Sequence, residues 1–195
     1  MEFTEPPNTS LQTPSNPENP VHTSKAKPNI LLINDPDFEA YITPSTKTLD
    51  RELQYVFPSL DVKTGITVIA TLQKSKVDLV SYGPEEEREK DRLLINFMKL
   101  GESLSLSLST VGYWIDYIDP CSGLPMLAQS SGKTFNEVDC VTSLLQFRSM
   151  NAGCCKILLH PGWGSAVYPA SIFTTAPHDV IISHIQRYCN SIIES

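Results

Sequence analysis

Hydrophobic positions along the chain recur at two periods, and these periods set the expected elements. In "TLDRELQYVFPSL", Leu49, Leu53, Val56 and Phe57 line up at helical spacing, and Pro58 stops the stripe. In "GITVIATLQ", residues 65–73, β-branched residues alternate with others, which predicts a strand. Residues 77–82, "VDLVSY", predict a second strand paired with it as a hairpin. Residues 30–33 predict a short buried strand that ends at Asp35-Pro36. A long helix is expected from Pro84, which suits the first helical position, to Gly112. Glu85, Glu86 and Glu87 complement the positive end of its dipole. Its inward face is Leu93, Leu94, Phe97, Gly101, Leu104 and Leu108, and the charge run 85–92 is read as solvated. Gly101 costs about 1 kcal/mol against alanine in a helix interior, so a close approach to a sheet is expected there.

The second half continues the mixture. "YWIDYID" alternates as a strand, "PCSG" is a turn, and "LPMLA" is read as a further strand. "QSSGKTFNEVDC" is mostly loop, and "VTSLLQFRSMN" fits a helix or a strand equally. "CCKILLH" is read as a strand, "PGWG" as a turn and "SAVYPASIFTT" as the returning strand. The last helix, within 177–193, has Val180, Ile181, Ile185, Tyr188 and Ile192 as inward positions. Hairpins outnumber regular βαβ crossovers, which predicts an α+β fold with a largely antiparallel sheet flanked by helices.

Composition adds a boundary. Residues 1–28 hold Pro6, Pro7, Pro14, Pro17, Pro20 and Pro28 and almost no bulky apolar side chain, so a disordered tail is expected ahead of one domain, 29–195. A domain of that size buries roughly 70% of its unfolded surface and needs no staples. The net charge of −7, without a Lys/Arg block, argues against nucleic acid and anionic membranes as partners. No apolar run reaches the ~20 residues that span a bilayer. The first segment has no basic start and no apolar core. Glu2, Glu5 and Glu18 precede Lys25, so cytoplasm is the expected location, and the mitochondrion only for a longer isoform.

Five cysteines in a reducing compartment are expected to be thiols. Neither a CxxC nor an HxxxH pair is present, and His178 and His184 are too far apart for one ligand face, which argues against zinc. "SSGKT" lacks the spacing of a phosphate loop. Cys154 and His160 on one extended strand would stand roughly 20 Å apart, so His160 is read as a capping residue beside Pro161. The adjacent pair Cys154 and Cys155 is the remaining chemical feature. Successive strand residues face opposite sides, so one thiol is expected in the core and one outside it. Gly153 gives the backbone room ahead of the pair.

Two stretches then carry a resemblance. "GYWIDYIDPCSGLPML" and "GCCKILLHPGWGSAVYPASIFTTAP" resemble the cobalamin-trafficking proteins of the cblD type, the methylmalonic aciduria and homocystinuria type D family. The patterns GYW-x-D-[FY]-IDP-x-SGL and GCCK…H-x-x-WG-x-x-V…SIFT match in order and spacing, and the likeness covers residues 30–193. It implies a nitroreductase-like fold without a working flavin site and no catalysis by this chain alone. It also implies action beside a cblC-type processing protein, with cobalamin shared between the two. The cofactor then passes to methionine synthase and methylmalonyl-CoA mutase. The family's cobalt-ligating thiol falls on Cys154, which leaves Cys155 to pack; Gly153 and Trp163 are the supporting motif positions. Cys121 stands where the family more often has serine and is read as a turn residue. The rival reading is a small thiol- or flavin-dependent oxidoreductase on the same fold.

Overall fold

The computed structural model describes residues 31–153 and 155–193, with side chains over 36–153 and 155–188. Strand β1 (Leu31–Asp35) turns at Pro36 into β2 (Phe38–Pro44), which is followed by α1 (Lys47–Val56) and a single 3-10 turn, Val62–Thr64. Strand β3 (Thr67–Lys74) leads to the long helix α2 (Pro84–Thr110) and β4 (Ile115–Tyr117). Then come α3 (Glu137–Leu145), β5 (Arg148–Ala152), β6 (Cys155–Leu159), β7 (Val167–Thr174) and α4 (His178–Ile193). Five strands form one sheet in the order β1-β2-β3-β7-β4, and β5 and β6 form a separate two-stranded sheet. Every strand pair is antiparallel, as the hydrophobic pattern predicts.

The period of two explains the layers. On β3, Ile69 faces one side while Val68, Ala70 and Leu72 face the other; on β7, Ala170 and Ile172 oppose Val167 and Phe173. Helices α2 and α4 cover the first face through Phe97, Leu104, Ile181 and Ile185. Helices α1 and α3 cover the second through Leu53, Val56 and Leu144, and the β5–β6 hairpin adds Leu158 beside Val141. Local signals start the helices on this side. The Thr46 hydroxyl accepts the Leu49 N–H at 3.2 Å, and Asn136 accepts from Asp139 at 3.1 Å. Gly101 meets its predicted close approach: a Cβ there would lie 2.9 Å from the Tyr117 ring on β4.

Several expectations are corrected. Residues 77–82 are a loop, because both edges of β3 are already taken by β2 and β7 and the Asp78 carboxylate accepts the Val80 N–H in a turn. "LPMLA" is held by one bridge, Ile118 to Pro125, and is not a strand. The segment that fits helix or strand equally is both, with α3 ending at Leu145 and β5 starting at Arg148. β7 does not return along β6; it runs between β3 and β4, and β6 pairs with β5. Within the charge run, Glu89 is buried, because its carboxylate takes Arg92 in a forked pair at 2.7 Å and the Lys76 N–H at 2.8 Å. Leu94 is half-buried, and Leu100 takes a place on the buried face. Ile30 and the side chain of Ile192 lie outside the described residues.

Candidate functional site

The two motif stretches build different things. In "GYWIDYIDPCSGLPML" the aspartates organise a loop. Asp116, buried on β4, accepts the backbone N–H groups of Tyr117, Leu127 and Ala128 at 2.8, 3.0 and 2.7 Å. Burial pushes its carboxyl up, and these N–H groups oppose the shift. Asp119 accepts from the N–H of Cys121 and from the N–H and hydroxyl of Ser122. Cys121 is exposed in that turn, the place its sequence context predicts. Asp116 and Asp119 of this stretch therefore hold backbone N–H groups that the loop leaves without ladder partners.

The second stretch builds the β5–β6 hairpin. Its ladder runs from Arg148 opposite Leu159 to Ala152 opposite Cys155. Gly153 has φ 61°, the left-handed region, with nothing near a would-be Cβ. Conformation and not space is what requires glycine there. Cys154 lies outside the described residues. Cys155 is the first residue of β6 and is exposed, not packed in the core. The reason is that Cys155 is the end residue of β6, paired with Ala152 at the tip of the ladder, where no core side chain covers it. The core contact falls instead on Leu158, 2% exposed, with Lys156 outside and joined to Asp139 of α3 at 2.5 Å.

At the root of the hairpin sits His160. Its N–H and C=O exchange hydrogen bonds with Gly164 at 2.8 and 2.9 Å and close the "HPGWG" turn. Its Nδ1 accepts the N–H groups of Gly162 and Trp163, each at 3.1 Å, which is the capping role expected of it. That leaves the ring proton on Nε2, which donates to Glu39 Oε2 on β2 at 3.0 Å. The Tyr41 hydroxyl donates to the same oxygen at 2.7 Å, and burial followed by this carboxylate raises the phenol's proton affinity. Trp163 stacks on the imidazole at 3.9 Å between centroids, and Phe147 meets it edge-on at 5.4 Å. Glu39 and Tyr41 escaped the sequence reading because it places no strand over residues 38–44. The signal was the run Phe38, Ala40, Ile42 on one parity and Glu39, Tyr41, Thr43 on the other.

A second buried polar group lies nearby on α3. Glu137 accepts the Ser171 hydroxyl at 2.6 Å and the Ser171 N–H at 3.2 Å. Burial pushes its carboxyl up to about 7 against those bonds, with the charge of Glu52 adding to the rise. Cys140, one turn on, is buried, and burial followed by Glu137 pushes its thiol well up. It behaves as a core residue. An open groove of about 270 Å3 between α1 and the loop before α3 is lined by Glu52, Tyr55, Val56, Lys133 and Thr134. Among the described residues no group of three or more His, Cys, Asp or Glu side chains is placed to hold a metal ion, and no helix is long and apolar enough to cross a membrane.

Comparison with known proteins bears on this geometry. The sequence pattern of the family described as methylmalonic aciduria and homocystinuria type D protein matches residues 8–186. The chain is 35% identical over 150 residues to the human cobalamin trafficking protein CblD, a match covering 76% of this chain and 49% of that protein. It is 33% identical over 149 residues to the Rattus norvegicus protein of that name, 76% of this chain and 49% of that one. For the Gallus gallus protein the figures are 32% over 141 residues, 72% and 47%. The chain thus spans about half the length of the relatives it matches.

Proposed function

Because the chain belongs to the methylmalonic aciduria and homocystinuria type D protein family, we propose that it is a cobalamin-trafficking adapter that lends one thiolate, Cys154, to the cobalt of its cargo. The observation that carries the reading is the placing of the Gly-Cys-Cys run. Its members Gly153 and Cys155 stand at the end of a hairpin that shares no ladder with the main sheet, and both are exposed. A corrin ring already supplies four nitrogen donors, so an axial ligand requires a single side chain and no cluster. A thiolate is a soft donor suited to that role.

The adapter catalyses nothing by itself. It docks on a cblC-type processing protein, shares cobalamin with it, and passes the cofactor toward methionine synthase, with methylmalonyl-CoA mutase as the second destination. A nitroreductase-like fold without flavin is part of the same reading. So is a cytosolic location. Purified chain mixed with cobalamin and a cblC-type partner is expected to shift the cobalamin absorption spectrum, and Cys154→Ser is expected to abolish the shift with the fold intact. A retained shift in Cys154→Ser overturns the thiolate assignment. A yellow, flavin-loaded preparation, or turnover of a disulfide or nitro substrate, would establish the oxidoreductase instead.

A further inference from the structure

The β5–β6 hairpin shares no ladder with the five-stranded sheet. Two isolated strands are marginal in water, so something else must hold this pair in place and at one angle. Apolar contact through Leu158 supplies attraction but little direction. Polar ties supply direction, and two of them differ in exposure. One, Lys156 to Asp139, has side chains 40% and 51% exposed, and such pairs contribute little. The other, His160 to Glu39, has side chains only 5% and 13% exposed. It joins the residue directly after β6 to β2 of the main sheet.

We infer that Glu39 and His160 are a positioning pair that fixes the orientation of the thiol-bearing hairpin on the sheet. The atoms leave little freedom. Both imidazole nitrogens are committed, Nδ1 to the turn and Nε2 to Glu39, while Trp163 and Phe147 hold the ring plane. Glu39 is aimed in turn by the Tyr41 hydroxyl. A largely desolvated, charge-assisted bond of this kind has a preferred angle, and losing it leaves the carboxylate with the Tyr41 hydroxyl but without its ring donor. The effect on cobalt coordination rests on the proposed function; the effect on the hairpin does not.

The test uses the whole chain and three variants. Glu39→Leu removes the acceptor, and Glu39→Gln keeps an oxygen in its place. His160→Asn keeps an acceptor for the turn N–H groups and is too short to reach β2. Amide exchange in β5 and β6 is expected to speed about tenfold in Glu39→Leu and His160→Asn, while β3 and β7 hold, and Glu39→Gln is expected to restore protection. With cobalamin and a cblC-type partner, the thiolate spectrum should weaken in the first two variants and return in the third. Equal loss of protection in β3 and β7 for His160→Asn would reduce the pair to a general stability role and overturn the inference. Unchanged exchange in the hairpin overturns it too, as does an unaltered spectrum from a loosened hairpin. Cys154→Ser run alongside separates the failures: if its spectrum persists, the thiolate reading fails, and the exchange data alone decide the positioning role.

Discussion

Cys155 is exposed at the start of β6, and its exposure sets the expected cost of changing it. Cys155→Ser is expected to alter unfolding free energy by less than about 0.5 kcal/mol, the range of surface substitutions, where a packed thiol would lose about 1–3 kcal/mol from burying a hydroxyl. Urea unfolding of the variant checks this. Glu137 carries a pH dependence of its own. Its carboxyl titrates near about 7 in the fold and at about 4.5 in an open chain, so between these values the folded state holds a proton that the unfolded state has lost. Stability from this group therefore falls as pH rises from about 4.5 to about 7, by an amount on the order of 3 kcal/mol. Glu137→Gln should flatten that slope in urea midpoints measured from pH 5 to 8. An unchanged slope would show that the buried carboxyl is not its source.

Among the elements, α2 makes the sharpest case. Alanine is favoured over glycine in a helix by about 1 kcal/mol, yet a Cβ at Gly101 would sit 2.9 Å from the Tyr117 ring, which itself packs edge-on against Phe97. Displacing a buried ring costs more than propensity returns, so Gly101→Ala is expected to lose about 1–3 kcal/mol. Paired with Tyr117→Leu, which removes the ring edge, the same substitution should cost less; a double-mutant cycle in urea reads the difference. The β5–β6 hairpin is the opposite kind of element. Its own strands carry little burial apart from Leu158, and its place depends on partners from β2 and α3.

For the whole molecule, two covering layers enclose a sheet whose β3 and β7 are covered on both faces. Residues 1–28 carry few bulky apolar side chains, and we propose that they add nothing to that core. Their deletion is expected to leave the thermal midpoint unchanged. The family match begins at residue 8, ahead of the expected domain boundary at 29, so the same deletion also tests whether the segment meets a partner. A lowered midpoint would place it in the fold, and a lost spectral shift at unchanged midpoint would place it in the partner contact.

What the sequence alone determined is local. The stripe Leu49, Leu53, Val56, the helix start at Pro84, the alternation in β3 and the turn at "HPGWG" each arise from neighbours within a few residues, and each element is where its pattern puts it. The motif order that carries the family is local as well. Tertiary structure decided which strands pair. Residues 77–82 have strand-like composition but no open edge beside β3, and β7 leaves β6 for the central position between β3 and β4. It also decided the fate of polar groups. Glu39, Glu89 and Glu137 look like surface acids in the sequence, and each is drawn inside by a donor far along the chain or one turn away: His160, Arg92 and Ser171. A carboxylate's burial depends on whether a donor meets it there, and only the folded chain brings that donor within hydrogen-bonding distance.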